Sequence, residues 1–423
     1  MANTNEIIDE ILLNFDKCDI FTPDKISKIM SSYLLDNGNL LEPSVGEGNL
    51  LKFVNLSNYS DIDIFDIKNE YLDKCPNDSN ISKFNNDFIK FDINKKYKNI
   101  ILNPPFIKIQ DLSCDYKKYI KNKWEILKTG NIDLYYVFLI KCLELLDDDG
   151  IMISITPNSY LFNKSAIKLR KMLIDNKLIH EIIDYKSEKV FNEASVYCCI
   201  SIFSKKNKDS FIFNGKSIKY SNITNEYYIF TSSNENNNTQ TLNDVCNIKN
   251  GIATLRDKIY IHDTKLFDEP CWKDITNSKK EKFIIFPYNE NGKIIEEDEF
   301  KLYNPKTYEY LEQNKEELKK RDNGNKQYPK WYSFGRTQSL TVSKNENVII
   351  ISTFLDPNNI DIQISKSRLN YSSLCIESKN NYDLNKIIYH IKNNIEFLVN
   401  NSSKRGGGWI NLSGRVLKQI PIE

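Results

Sequence analysis

Apolar positions in the first two hundred residues follow two alternating rhythms. Ile26, Ile29, Met30, Tyr33 and Leu34 recur at helical spacing behind Pro23 and Asp24, which predicts a helix over residues 24–35. Leu40-Leu41 reads as a short buried strand running into Glu42-Pro43-Ser44-Val45-Gly46-Glu47-Gly48, with a helix starting over Leu50 to Val54. Ile62 to Asp66 is a second strand ending in an acid, and Glu70-Tyr71-Leu72 begins a second helical piece. Residues 81–92 hold a third strand or turn around Asn86-Asp87-Phe88, and residues 99–102 a further strand. Asp133 to Leu146 predicts a strongly buried helix closed by Asp147-Asp148-Asp149-Gly150, with Gly150 as its stop. Strands at 151–155, 179–185 and 196–203 and a helix at 164–176 complete the series. Strands alternating with helices predict an α/β fold built on a doubly wound, mostly parallel sheet, with ligands bound outside the carboxyl ends of the strands.

After about residue 204 this rhythm stops. The Asn-rich stretch Ser232 to Thr239 reads as a linker; beyond it lie short mixed strands, a charged helix at 307–321 and an amphipathic helix near 383–399. The expected division is a first domain over residues 1–230 and a separate C-terminal α+β domain over 240–423. A length of 423 residues is in keeping with two or three domains.

Composition adds less. The net charge is +1, but residues 321–423 carry 14 Lys/Arg against 8 Asp/Glu while the rest carries 44 against 49. A net +6 on the C-terminal part fits a local contact with a polyanion. Nine scattered cysteines without a Cys-x-x-Cys, and only His180, His262 and His390, argue against a zinc site and a disulfide framework. Reduced cysteines, no N-terminal signal and no apolar run long enough to span a bilayer predict a cytoplasmic protein without membrane contact. Nothing advertises an oligomer interface, so a monomer is expected.

The chemistry concentrates in Asn103-Pro104-Pro105-Phe106, directly after the apolar run 99–102. The Asn103 side-chain carbonyl and the Pro104 main-chain carbonyl can each accept one N–H from a single exocyclic amine. The prolines restrict the backbone, so both oxygens are aimed. Phe106 then offers a flat face to the ring carrying that amine. This is chemistry for methylating a nitrogen, above all on a base, although Pro-Pro is equally a common way to end a strand. Gly46 and Gly48 suit a loop that a ligand approaches closely, without the third glycine of a dinucleotide fingerprint or the Gly-Lys-Ser/Thr of a phosphate loop. Asp66 at the end of the next strand is placed to take ribose hydroxyls, with Asp63 as the competing choice. Asp87 can hold an adenine amino group while Phe88 covers its ring.

In this order the chain resembles the gamma-class, TaqI-type amino-methyltransferases of bacterial restriction–modification systems, which methylate adenine N6 in duplex DNA. Phe21-Thr22-Pro23 is similar to the family's N-terminal motif, and Leu41 to Gly48 to its cofactor loop. The resemblance implies that Thr22, Glu42, Pro43, Gly46, Gly48, Asp66, Asp87 and Phe88 bind S-adenosyl-L-methionine, and that Asn103, Pro104 and Phe106 carry catalysis. Asp133 to Phe138 and Ile155 to Tyr160 resemble the two following motifs, and Phe191 the second aromatic against an extruded base. Phe106 stands where Tyr is commoner, and Asp66 where many members have Glu. Expected partners are double-stranded DNA and a cognate restriction endonuclease acting separately.

The second domain would then recognise the target. Trp331 to Gln338 resembles a segment of such recognition domains, with Arg336 and Gln338 set to contact base edges; the alternative is an aromatic core cluster for Trp331 and Tyr332. Ser402 to Trp409 is a glycine-rich basic loop in which Lys404 and Arg405 would position DNA through phosphates, or else a loop without a ligand. The rival readings of the whole are a protein-glutamine or RNA-guanine methyltransferase using the same Asn-Pro-Pro-aromatic device, and a catalytically dead DNA-binding relative.

Overall fold

The computed structural model describes residues 20–130, 132–186, 188, 190–191, 196–206, 208–223, 227–230, 240–324 and 326–422. They form two compact units, divided between Glu235 and Asn236. The linker expected over Ser232 to Thr239 lies outside the described residues.

The first unit is built on a nine-stranded sheet: β1 (Leu40–Glu42), β2 (Ile62–Asp66), β3 (Ile81–Asn85), β4 (Tyr97–Leu102), β5 (Leu146–Pro157), β6 (Ile179–Asp184), β7 (Cys198–Ser204), β8 (Ser210–Phe213) and β9 (Lys216–Lys219). Their order is β3-β2-β1-β4-β5-β7-β6-β8-β9. The pairs from β3 through β5 are parallel, while β7 runs antiparallel to both β5 and β6. This is the strand order of the class I S-adenosylmethionine-dependent methyltransferase fold. The chain reverses direction of travel between β1 and β4, and the loops leaving those two strands flank the switch-point crevice.

Strand periodicity explains why both faces are covered. On β4, Ile100 and Leu102 join one core and Ile101 the other; on β7, Phe203 joins the first and Ile200 and Ile202 the second. The first core holds α4 (Leu134–Leu145), which follows α1 (Asp24–Ser31), α2 (Asn69–Leu72) and α3 (Cys114–Lys123). Eleven of the twelve α4 residues are buried, so this helix is sunk into the core rather than lying on it.

Several expectations need correction. Gly150 does not stop α4, which ends in an extended Leu146. Asp147 to Gly150 instead loop out between two paired positions, Tyr97 with Leu146 and Asn99 with Ile151. A Cβ on Gly150 would stand 2.9 Å from the Lys98 carbonyl, so close approach of backbone is what requires glycine there. The helix expected to start over Leu50 to Val54 is a single 3₁₀ turn, Leu51–Phe53, and the one expected over 24–35 ends at Ser31. The sheet also continues past residue 204 through β8 and β9.

The second unit holds a four-stranded antiparallel sheet, β10 (Cys246–Asn250), β17 (Ser373–Ser378), β14 (Val348–Ser352) and β16 (Ile362–Ser365), in that order. Two three-stranded sheets accompany it. One is β11 (Ile261–His262), β13 (Glu281–Ile285) and β12 (Trp272–Thr276); the other is β15 (Phe354–Leu355), β19 (Ile410–Asn411) and β18 (Ser403–Lys404). The expected helix at 307–321 is two pieces, Pro305–Gln313 and Lys315–Lys319, interrupted at Asn314; that near 383–399 is Leu384–Asn393 and Ile395–Asn401, interrupted at Asn394. No helix among the described residues is long and apolar enough to cross a membrane.

Candidate active site

The loops after β1, β2, β3 and β4 surround one cleft of the first unit, about 990 Å³ with its open mouth included. Its lining includes Thr22, Glu42, Pro43, Gly46, Asp66, Asp87, Phe88, Asn103, Pro104 and Phe106. Ten residues nominated from sequence thus meet in one place. Gly48 lies outside the lining; it turns the chain at φ +76°, facing Cys75. Gly46, at φ +51°, is in the lining, and a Cβ there would stand 3.2 Å from the Phe21 ring. Both conformations favour glycine.

Asn103 is fixed from two sides. Its Nδ2 donates to the Ile20 carbonyl at 2.9 Å and to Thr22 Oγ1 at 3.0 Å, while its own main-chain carbonyl accepts from Ser44 Oγ at 2.9 Å. Spending both amide hydrogens on acceptors assigns the flip of the carboxamide. Oδ1 is then the acceptor left over, with no partner among the described residues. Thr22 therefore orients Asn103 as well as lining the cleft.

The acids are held in different ways. Asp66 Oδ2 accepts from Gly46 N and Oδ1 from Lys68 N, each at 2.9 Å, which ties the β1 and β2 loops together. Asp63 takes no part: it is buried and accepts from Tyr97 Oη and Lys95 Nζ, outside the cleft lining. Asp87 Oδ1 accepts from Ile89 N at 2.9 Å and Tyr116 Oη at 3.0 Å, whereas its Oδ2 is buried with no hydrogen-bond partner. Burial pushes the Asp87 carboxyl up, and those two donors partly offset it. Glu42 is 1 % exposed and its Oε2 is also unpartnered. Burial first, and Asp66 second, push its carboxyl well above the usual range.

Two orphaned buried acceptors in one cleft suit a donor-rich ligand. S-adenosylmethionine would be such a ligand: Asp87 Oδ2 would suit the adenine amino group, Asp66 the ribose, and Glu42 the ammonium end. A cationic ligand favours the ionised form of Glu42. Binding should therefore release a proton, and affinity should rise with pH below the pKa of the empty site. Calorimetry in buffers of different ionisation enthalpy is expected to show this release for S-adenosylmethionine and not for uncharged 5′-methylthioadenosine. Equal proton release by both would remove Glu42 from the ammonium end.

Phe106 lines the cleft and stands edge-on to Tyr135 at 6.3 Å and to Phe191 at 6.2 Å between centroids. Phe191 is 2 % exposed and outside the lining; the adjoining residues 192–195 lie outside the described residues. Sequence reasoning missed Ser44 as a positioner and Tyr116 altogether. Ser44 stood inside the recognised loop, but its partner lies 59 positions away; residues 107–132, which contain Tyr116, carried no expectation.

In the second unit, Tyr332 and Phe334 are fully buried core aromatics, and Trp331 Nε1 donates to Glu297. Arg336 is bound by Asp322 through Nη1 at 2.6 Å, and Gln338 Nε2 donates to the Gly251 carbonyl at 3.1 Å. Lys404 is a correction: it is 8 % exposed, because β18 pairs with β19 opposite Ile410, so its ammonium is not presented to a phosphate backbone. Arg405 is exposed, with its guanidinium 4.6 Å from the Phe354 ring centroid. The eight described cysteines are free, seven of them buried.

Residues 26–191 match the Eco57I restriction-modification methylase family. Type II methyltransferase M.HindII of Haemophilus influenzae is 27% identical over 385 residues, covering 78% of this chain and 73% of that protein. Type II restriction enzyme and methyltransferase RM.Eco57I of Escherichia coli is 23% identical over 59% of this chain, which spans about a third (32%) of its length. A solved structure, the nuclease-deletion mutant of the Type ISP restriction-modification enzyme LlaGI in complex with a DNA substrate mimic, is similar with TM-score 0.48 and 13% identity, over 89% of this chain and 44% of that one. Sheet order and the position of the cleft are those of the class I S-adenosylmethionine-dependent methyltransferase fold. In sequence, residues 26–191 are similar to the Eco57I restriction-modification methylase family.

Proposed function

We propose that the protein transfers the methyl group of S-adenosylmethionine to the N6 amino group of adenine in duplex DNA, after the target base has been swung out of the helix. The observation that carries this reading is the Asn103 carboxamide, locked by Ile20 and Thr22 with its oxygen left to accept, in the same cleft as the two orphaned acids. The bound cofactor supplies an electrophilic methyl group. Asn103 Oδ1 and the Pro104 carbonyl accept the two amino hydrogens and so localise the nitrogen lone pair. No strongly basic side chain is needed, and catalysis rests on positioning and fixed acceptors.

Extrusion costs a few kcal/mol of unstacking. Phe106 stacks on the extruded base, with Phe191 edge-on to its ring; such a stacking contact contributes roughly 1–3 kcal/mol. Phe106→Ala should therefore weaken extrusion by about 10- to 100-fold, while Phe106→Tyr stays within a few-fold of the parent. Fluorescence of 2-aminopurine at the target position, read against turnover, checks both. The second unit, through Arg336, Gln338 and Arg405, is the part assigned to the target site. Action as a monomer, with a cognate endonuclease working separately, belongs to the same reading.

The test is to incubate the purified protein with duplex DNA and S-adenosylmethionine, digest to nucleosides and identify the methylated one by mass spectrometry. N6-methyladenine supports the proposal. Methyl groups only on cytosine, on RNA or on protein glutamine would overturn it.

A further inference from the structure

Lys141 is a charged residue buried inside the first unit. It sits two-thirds along α4, among Ile140, Cys142 and Leu143, and is only 5 % exposed. An ammonium in such a place is costly unless every hydrogen finds an acceptor. Here all three do. Lys141 Nζ donates to the main-chain carbonyls of Phe88 at 2.5 Å, Ile89 at 3.2 Å and Phe91 at 2.6 Å. It also lies 4.7 Å from the centroid of the Phe88 ring. Burial lowers its pKa to about 8, the desolvation cost that a purely apolar side chain would avoid.

Those carbonyls belong to the turn that leaves β3, and the turn begins with Asp87-Phe88. From the other side, Tyr116 Oη holds Asp87 Oδ1, and Ile89 N shares that oxygen. The turn is thus clamped between a hydroxyl on α3 and an ammonium on α4. Two residues of this turn line the cleft, Asp87, whose Oδ2 has no partner, and Phe88. An apolar residue on α4 would fill the same space. It would leave the Phe88 and Phe91 carbonyls without this donor and Ile89 with only Tyr119 Oη at 3.4 Å, so the turn would be held from the Tyr116 side alone.

We propose that Lys141 is a positioning residue for the adenosine half of the cofactor: by gathering the carbonyls of Phe88, Ile89 and Phe91 it fixes the turn that presents Asp87 and Phe88 to the adenine ring. This rests on the reading of the cleft as an S-adenosylmethionine site. Lys141 touches neither the methyl group nor the target base, so its loss acts on cofactor affinity and not on the transfer step.

The experiment compares the parent with Lys141→Met, which keeps length and apolar stem but has no donor. The probes are S-adenosylmethionine and 5′-methylthioadenosine, measured by calorimetry without DNA. Both affinities should fall by the same factor, at least about tenfold, as expected when the shared adenosine contacts are loosened. Turnover at saturating cofactor and the Kd for DNA should stay within about twofold, and KM for the cofactor should rise. A merely structural lysine would lower thermal stability and turnover together without this split. Should Lys141→Met not fold, Lys141→Gln, with two N–H donors and no buried charge, takes its place with a smaller loss for both ligands. Unchanged affinity in a folded variant, or a loss confined to S-adenosylmethionine, overturns the proposal. Absence of binding of either probe to the parent protein overturns the cofactor reading instead, which keeps the two failures apart.

Discussion

Asn103→Ala is expected to lower methyl transfer by about three orders of magnitude, the scale on which a fixed hydrogen-bonding group at a reacting centre acts. The substitution removes Oδ1, which localises the amine lone pair, and leaves the Pro104 carbonyl alone to accept. It also strips the donor from the Ile20 carbonyl and Thr22 Oγ1. Losing those two bonds should loosen the Ile20–Thr22 edge of the cleft by about 1 kcal/mol, so cofactor affinity should fall no more than about fivefold. Asn103→Asp separates the two tasks. It retains an acceptor oxygen but sets a second oxygen against the Ile20 carbonyl, so it should also lose most of its activity. Single-turnover transfer of labelled methyl, alongside calorimetric cofactor binding, resolves these terms. Retention of more than a few per cent of activity by Asn103→Ala would remove Asn103 from catalysis.

What sequence could show of this site was the part written locally. Every nominated cleft residue except Thr22 stands at the carboxyl end of a strand or in the turn after it, and strand order follows from the alternation of patterns. Ends of parallel strands converge by topology alone, so residues 42–46, 66, 87–88 and 103–106 had to meet if the sheet formed. The choice between Asp66 and Asp63 was not local. Three positions apart on one strand, they face opposite sides, and only the partners Tyr97 and Lys95 on another segment show which side is the interior. Lys141 escaped notice for a related reason. Inside an apolar helix it reads as an isolated charge, and its three acceptors lie about 50 residues upstream. Lys404 fails in the opposite direction. A basic residue beside glycines suggests an exposed loop, yet pairing with Ile410 turns its side chain inward.

Asp66→Ala should have the second largest effect, and on binding rather than chemistry. An ionised carboxylate offers about four acceptor sites. Gly46 N and Lys68 N donate to the two oxygens of Asp66, so the acid shapes the glycine loop at the point where the proposed ribose contact falls. Removing it deletes charge-assisted bonds of about 1.5–3 kcal/mol each and leaves two loop amides without their acceptor. A loss of about 3 kcal/mol corresponds to more than 100-fold in cofactor Kd. Turnover should recover to within a few-fold once the cofactor is saturating, because Asn103 keeps its own anchors. Asp66→Asn should rescue little: its amide must point N–H groups at one of the two backbone N–H groups. The substitution also reaches Glu42, whose carboxyl Asp66 helps hold high. With that neighbour gone, Glu42 ionises more readily in the empty cleft, and the proton released on S-adenosylmethionine binding at neutral pH should shrink. A variant that keeps the parent affinity, or one that loses turnover at saturating cofactor as severely as Asn103→Ala, would show that Asp66 does not hold the ribose.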